Sequence, residues 1–483
     1  MATLSDKYKS SILSFGFKGD LVVPSDPDYP SALARFAKNA QRNAALVAFV
    51  KDTQDVSNVI KFISSDDGNN IPFTVRGGGH STAGASSIEG GIVIDLSRHI
   101  STVQVNEEAR LAYVGGGANW EAVDKAAIRY GLAAVGGTVN HTGVGGLSLG
   151  GGFGWLTGEY GMTIDHLVQA TIVTADGTIH QVSAESNPDL FWAIRGGGGN
   201  FGCVTEFVFT LHPQRRDVFA GPIMFPSERI KEVTAALEIW YATSGPKEGV
   251  LMSTIATGSS GSSDITVLVF FNGEEGEGRE RFKLLLELGP TADLARMIPY
   301  EELNALQNRS VKYGMNIILT SVSRASLPAE LAKKIYDNLV ETARNPTSNC
   351  HGVVMGFLWE YHNLAVQSRV AADSTAFRMR YPIPAATLII SWDDSIDDPA
   401  ATAEARARLK EMKVKADQLL RDTFKGQVRR EDDTGYGNYE PSDSRSIDAA
   451  ATLFGSNYSR LQSIKGVYDA KQLFCSWYPI RPQ

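Results

Sequence analysis

Apolar residues in the first part of the chain come in short runs broken by glycine, while beyond residue 216 they recur over longer stretches at strand and helix spacing. Ala44–Val50 is a continuous apolar run and predicts a strand. Val56, Val59, Ile60 and Ile63 then share a helical face behind Thr53, a suitable N-cap. Ile71–Val75 predicts the next strand, so the segment reads as a β–α–β unit that runs into Arg76-Gly77-Gly78-Gly79-His80-Ser81. Gly91–Leu96 and Leu111–Val114 predict further strands. Asn119 is placed to cap a helix with Trp120, Val123, Ala127 and Tyr130 on one face, and Gly131 stands where such a helix stops. Ala170–Thr174 and Thr178–Val182 flank Asp176-Gly177, a hairpin signal. Asn187-Pro188 reads as an N-cap with proline at the first helical position, opening a short helix through Arg195. Gly202–Leu211 alternates as a strand, and His212-Pro213 ends it.

From about residue 216 glycine thins out. Strands are expected at Leu251–Ile255, Ile265–Phe271, Val353–Tyr361 and Thr387–Trp392, and helices at Ser227–Thr243, Glu277–Leu288, Pro328–Ala343 and Pro399–Thr423. A second sheet with helices on one face is the economical arrangement. Gly258–Ser263 reads as a surface loop, and residues 1–40 offer only turn signals around Pro24, Pro27 and Pro30. The end of the chain, Leu453–Pro479, is rich in aromatic residues and is expected to dock onto the body. The fold class is α+β with two domains, residues 1–215 and 216–424, and a closing segment, 425–483, that returns to the first.

Three glycine-rich stretches dominate the first domain: Arg76–Ser81, Gly136–Gly154 and Arg195–Gly202. Glycine loses the most backbone freedom on ordering, so such density is kept where main-chain N–H groups must come close to something. These stretches also carry Leu, Val and Phe, unlike flexible linkers. Oriented N–H groups attract phosphate, so the pattern points to a large anionic ligand. Gly197–Gly202 matches G-x-G-x-x-G, but a strand follows it, which excludes the dinucleotide fingerprint, and no P-loop lysine motif occurs.

Composition narrows the setting. A chain of 483 residues exceeds one ordinary core. A net charge of −8 without a basic run speaks against nucleic acid as partner. Cys203, Cys350 and Cys475 have neither metal-ligand spacing nor a disulfide framework and read as reduced thiols; no metal site is expected. The N-terminus lacks a continuous apolar segment and no run reaches membrane-span length, so a cytoplasmic protein is expected.

The motifs RGGGHS (76–81), GVGGLSLGGGFG (143–154) with Tyr160-Gly161, and FWAIRGGGGNFG (191–202) resemble the flavin domain of the vanillyl-alcohol oxidase/p-cresol methylhydroxylase superfamily. Tyr436-Gly-Asn438-Tyr439 and the tail to Phe474 are similar to the berberine-bridge-enzyme-like branch, which includes 6-hydroxy-D-nicotine oxidase and fungal oxidases of secondary metabolism. The resemblance covers residues 40–215 and 436–478; the middle agrees only in layout. It implies FAD in the first domain, with the last strands of the chain returning to it and the second sheet roofing the isoalloxazine. It assigns Arg76, Gly77, Gly78, Gly79, His80, Ser81, Thr142, Gly143, Gly145, Gly146, Ser148, Gly152, Tyr160, Gly161, Asp165, Gly202, Val204 and Asn438 to the cofactor. His80 matches the histidine that carries an 8α-linked flavin. Val139 stands where some relatives have a second, cysteinyl link, so a single bond is expected. Thr142 falls where the family sets oxygen access. At Thr375–Arg380 relatives often have Pro-His before the arginine, whereas Arg378 and Met379 stand here, so substrate contacts do not transfer.

The resemblance further implies hydride removal from a C–H next to oxygen or nitrogen while Tyr439 acts as base, which requires surroundings that favour its phenolate. Tyr436 is a substrate-contact candidate. Trp359 and Tyr361 share a strand face, and with Trp392 they are candidates to stack on an aromatic or polycyclic substrate; His141 is a candidate contact for substrate or flavin. The expected partners are a small molecule and O2, with hydrogen peroxide as co-product; oligomeric state is not legible. A flavin enzyme of net non-redox outcome, cyclising or isomerising its substrate, and a flavin-holding binding protein are the alternatives. A nicotinamide-dependent reductase is disfavoured.

Overall fold

The structure is a computed structural model and describes residues 4–66, 68, 71–257, 264–322, 327–344, 349–380, 385–393, 399–424, 435–439 and 446–483. The expected β–α–β unit is present. Leu46–Phe49 and Phe73–Arg76 run parallel on either side of Ile92–Asp95, and Asp20–Val22 adds an antiparallel edge. The crossover helix, Thr53–Ser64, buries Val56, Val59, Ile60, Phe62 and Ile63 against this sheet. Its cap is Asp52, one residue before the expected Thr53: the Asp52 carboxylate accepts the Asp55 N–H at 2.9 Å, and the Thr53 hydroxyl pairs with that of Thr205.

A second sheet has five antiparallel strands in the order Val103–Asn106, Leu111–Gly115, Cys203–Thr210, Leu167–Val173, Ile179–Ser183. The last two form the predicted hairpin, with Gly177 at φ +77° in its turn. Asn119 caps Trp120–Ala127 by accepting the Ala122 N–H at 3.1 Å, and Gly131 ends the segment at φ +65°. A 3₁₀ turn, Ile128–Tyr130, intervenes, and its tighter winding swings Tyr130 off the core face to 47 % exposure. Asn187 does not cap Pro188–Ile194; it adopts a left-handed conformation and its side-chain amide donates to the Gln181 carbonyl instead.

Between Pro213 and Asp217 the chain passes into a third, eight-stranded antiparallel sheet. The four expected strands lie in it as Glu248–Thr257, Ile265–Phe271, His351–His362 and Ala385–Asp393. Asp217–Phe225 and Asn316–Ser321, which periodicity missed, complete its two flanks together with two short strands. Ile230–Ala242, Ala329–Arg344 and Pro399–Phe424 pack on one face, as expected. The helix expected over 277–288 is two pieces, Glu275–Arg281 and Lys283–Glu287, because Phe282 breaks the backbone to insert its ring into this core. Gly258–Ser263 lies outside the described residues.

The tail returns to the five-stranded sheet as helices, Ile447–Phe454 and Tyr458–Tyr468, and not as the strands the resemblance implied. Its apolar residues Leu453, Phe454, Leu461, Tyr478 and Ile480 join that core. The buried Lys465 ammonium pairs with Asp469 at 2.6 Å and donates to the carbonyls of Asn200 and Phe474, tying the tail to the third glycine stretch. No helix among the described residues is long and apolar enough to cross a membrane.

Strand parity settles where the aromatic candidates lie. On His351–His362, Met355, Phe357, Trp359 and Tyr361 pack among the helices, while Val354, Gly356, Leu358 and Glu360 face a cavity on the other side. On Ala385–Asp393, Trp392 likewise joins the helix-side core, and Thr387, Ile389 and Ser391 face the cavity. Trp359, Tyr361 and Trp392 therefore brace the roof from behind and do not reach a substrate. Trp359→Ala should lower unfolding free energy by about 3–5 kcal/mol, the usual cost of emptying a large buried site, with flavin content retained at low denaturant. An unchanged denaturation midpoint would put Trp359 on the other face.

Candidate active site

A cavity of about 520 Å³ lies between the glycine stretches and the roof sheet. Its floor is built from main chain. Gly78 and Gly143 touch so closely that a Cβ on Gly78 would sit 2.5 Å from Gly143 Cα, and one on Gly143 would sit 2.6 Å from Gly78 N. No side chain other than hydrogen fits at either position, so the first two glycine stretches are joined there backbone to backbone. Gly146 and Gly199 differ: both line the cavity, and a Cβ on either would meet no protein atom within 4 Å. They are glycines facing open space, which is what close approach of a ligand to bare N–H groups requires. Among the described residues no lysine or arginine lines the cavity, so a phosphate there would be met by main-chain donors. These features fit an FAD pyrophosphate.

Gly77, Gly78, Gly79, His80, Ser81, Thr142, Gly143, Gly145, Gly146, Gly202, Val204 and Asn438 all line the cavity. The other cofactor candidates stand behind it. The Arg76 guanidinium pairs with Asp95 at 3.0 Å and with the Ala32 carbonyl. Ser148 is buried in the helix Val144–Leu149. Gly152 and Gly161 adopt φ of +79° and +92°. Tyr160 stacks on His212 at 3.8 Å, and Asp165 takes both arms of Arg380 at 2.7 and 2.9 Å. That pair anchors the divergent Thr375–Arg380 segment, in which Arg378 is spent on the Leu453 carbonyl and Met379 packs beside Tyr436.

His80 sits at the edge of the Gly78–Gly143 contact. Its ring lies flat on Phe36, 3.9 Å between centroids and 6° between planes. Its Nε2 is 3.0 Å from Nδ1 of His141, and His141 Nε2 is 3.0 Å from the Val311 carbonyl. Burial, reinforced by His141, depresses the His80 pKa to about 3, so the imidazole is neutral. His141 thus meets His80 rather than the cavity. Phe36 comes from the N-terminal stretch that carried only turn signals, and nothing local in the sequence marks it.

Across the cavity, the segment 435–439 folds under the roof. Tyr436 is buried, and its phenol oxygen accepts the Gly152 N–H at 3.0 Å and an Asn438 amide proton at 3.0 Å. Burial pushes its pKa up to about 12 even so. Asn438 also donates to the Gly146 carbonyl, which links the tail to the floor. Tyr439 donates its hydroxyl proton to Glu360 Oε1 at 3.0 Å. Burial, then the Glu360 charge, raise its pKa well above the ordinary phenol value. The expectation of a phenolate is therefore reversed: Tyr439 is a neutral phenol with a carboxylate behind it. Glu360 is the residue that sequence reasoning missed, an acidic side chain in an apolar strand, on the face opposite Trp359 and Tyr361.

The profile of the FAD binding domain family matches residues 44–183, and that of the berberine and berberine-like family matches residues 435–481. A FAD-linked oxidoreductase of Dictyostelium discoideum is 30 % identical over 75 % of this chain and 77 % of its own. The crystal structure of 6-hydroxy-D-nicotine oxidase from Arthrobacter nicotinovorans superposes with a TM-score of 0.81 at 25 % identity, over 97 % of this chain and 99 % of that one. Glucooligosaccharide oxidase from Acremonium strictum, described with a 6-S-cysteinyl, 8α-N1-histidyl FAD, has a TM-score of 0.80 at 22 % identity, over 99 % of both chains. The chain belongs to the berberine-bridge-like FAD-linked oxidoreductases, and it is an FAD-binding enzyme.

The two kinds of glycine should respond differently to substitution. Gly146→Leu should leave a folded protein with at least tenfold less bound flavin, because the side chain enters open cavity. Gly78→Ala should destabilise the fold itself by about 1–3 kcal/mol, as overpacking does. Flavin content and a denaturation midpoint measured on both variants check this; a flavin-replete Gly146→Leu would show that the ligand does not pass this glycine.

Proposed function

We propose that this enzyme is an oxidase that holds FAD through one covalent bond to His80, removes hydride from a C–H next to oxygen or nitrogen of a small apolar molecule, and hands the electrons to O2 as hydrogen peroxide. The carrying observation is the Tyr439–Glu360 hydrogen bond, with half-buried Tyr439 and buried Glu360 both lining the cavity that the glycine stretches line. Bound FAD supplies the two-electron acceptor; position and proton transfer belong to the chain. Tyr439 is neutral, so it accepts a substrate O–H or N–H proton at its oxygen only as its own proton passes to Glu360 Oε1. A concerted relay of this kind places the charge on no isolated phenol. Tyr436, held by Gly152 and Asn438, keeps the Tyr439 ring in an edge-on contact at 4.9 Å.

The roof above this pair is aliphatic and hydroxylic: Leu251, Ile255, Leu358, Ile389, Thr387 and Ser391 face the cavity. That roof face offers apolar contact to a carbon skeleton, while the rings of Phe153, Tyr436 and Tyr439 also line the cavity. The single link is supported by the neighbouring thiols. Val139 lines the cavity, and the Cys203 thiol, also at its wall, is pushed by burial to about 12 and is unreactive. Thr142, with its small side chain at the cavity wall, is the residue assigned to oxygen access.

Tyr439→Phe and Glu360→Gln should each slow flavin reduction by substrate roughly a hundredfold or more, the usual scale for a positioned proton acceptor, with flavin content retained. Reoxidation of reduced enzyme by O2 should be unchanged. Rapid kinetics are needed because product release can limit turnover. Tyr436→Phe should cost less. Wild-type rates in both Tyr439→Phe and Glu360→Gln would move the base elsewhere, and peroxide formed at well below one per product would refute the oxidase reading.

A further inference from the structure

We infer that His141 is the positioning residue for flavin attachment: it holds the His80 imidazole in the one tautomer that presents a lone pair on Nδ1 and receives the proton that leaves Nε2. This rests on the covalent reading above. A backbone carbonyl only accepts, so His141 Nε2, 3.0 Å from the Val311 oxygen, carries a proton. With its own proton committed to that carbonyl, His141 offers Nδ1 as the acceptor, and we take His80 Nε2, 3.0 Å away, as the donor to it. The one ring proton of His80 is thereby placed on Nε2, and Nδ1 keeps its lone pair on a side chain that lines the cavity. Phe36, stacked flat at 3.9 Å, holds the ring plane and prevents the flip that would exchange the nitrogens. Burial keeps His80 unprotonated, and so nucleophilic, across ordinary pH.

The step balances as follows. One N–C bond forms between His80 Nδ1 and the ring-methyl carbon of the isoalloxazine. One methyl C–H bond breaks, and the His80 Nε2 proton passes to His141 Nδ1. The two electrons released reduce the ring and are returned to O2, which leaves with two protons as hydrogen peroxide.

Two substitutions separate this role from packing, since His141 also touches Phe36 and Tyr313 at ring distances of 5.7 and 6.2 Å. His141→Phe keeps the ring and loses the acceptor; His141→Asn loses the ring and keeps an acceptor oxygen near the position of Nδ1. Each protein, freed of flavin by expression under riboflavin limitation, is incubated with FAD in air, and acid-precipitated flavin fluorescence is followed with time. Wild type should become fully covalent, and His80→Ala should bind flavin that acid releases. His141→Phe should bind flavin but attach it at least tenfold more slowly, while His141→Asn stays within about threefold of wild type. Should the phenylalanine variant not accumulate folded, His141→Leu replaces it. Attachment by the ring-retaining or leucine variant at the wild-type rate, or by the asparagine variant as slowly as by the phenylalanine one, overturns the inference. Flavin released by acid from wild type refutes the covalent reading itself, and the role of His141 with it.

Discussion

The main-chain contact between Gly78 and Gly143 is the constraint on which the site depends. Two loops from different sheets approach to a distance that excludes any Cβ, so their positions relative to each other are set by backbone van der Waals radii and not by adaptable side chains. His80 lies two residues after one of these glycines, and Thr142 and His141 immediately precede the other. The short His80–His141 distance follows from that junction almost without further freedom. Glycine is used here for two opposite reasons. At Gly78 and Gly143 there is no room for a side chain, while at Gly146 and Gly199 there is room that a ligand takes.

That distinction explains why the flavin half was legible in the sequence. A contact made by backbone leaves its signature as glycine at fixed local spacing, and RGGGHS, GVGGLSLGGGFG and RGGGGNFG record it without reference to anything distant. The β–α–β unit, the Asp176-Gly177 hairpin and the Asn119 cap were legible for the same reason, since each is decided within a few residues. What failed was decided elsewhere. Asp52 displaced Thr53 as cap because the Thr53 hydroxyl was claimed by Thr205, far along the chain. Phe36 and Val311 meet His80 and His141 only through the tertiary fold, and neither residue type in its local context signals that.

The roof shows a different limit. Alternation told which residues of 353–361 share a face but not which face meets the cavity. Large aromatics invite assignment to a binding site, yet three helices cover the other side of the sheet and bury the larger apolar area, so Trp359, Tyr361 and Trp392 are drawn there. The face left for the cavity carries the smaller residues and one carboxylate. A buried Glu360 in an otherwise apolar strand is costly unless something pairs with it, and Tyr439 from the tail does so. Burial first, and the Glu360 charge with it, raise the Tyr439 pKa above the ordinary phenol value, so the group that faces the carboxylate is the phenol and not the expected phenolate.

Two hydrogen-bonded relays reach the same cavity, one through His80 and one through Tyr439, and their ends tell them apart. Tyr439 leads to Glu360, a carboxylate, which can take a proton and keep it. His80 leads through His141 to the Val311 carbonyl, which accepts a hydrogen bond but cannot be protonated at ordinary pH. The first relay can therefore be spent and restored in every turnover as substrate protons arrive and leave. The second cannot discharge a proton into its terminus, so it serves to fix which nitrogen is bare and can act as acceptor only once, with the proton returned to solvent or peroxide. On the proposed attachment to His80, a repeated reaction belongs on the carboxylate side and a single maturation event on the carbonyl side, the division of labour that a permanently tethered cofactor would require.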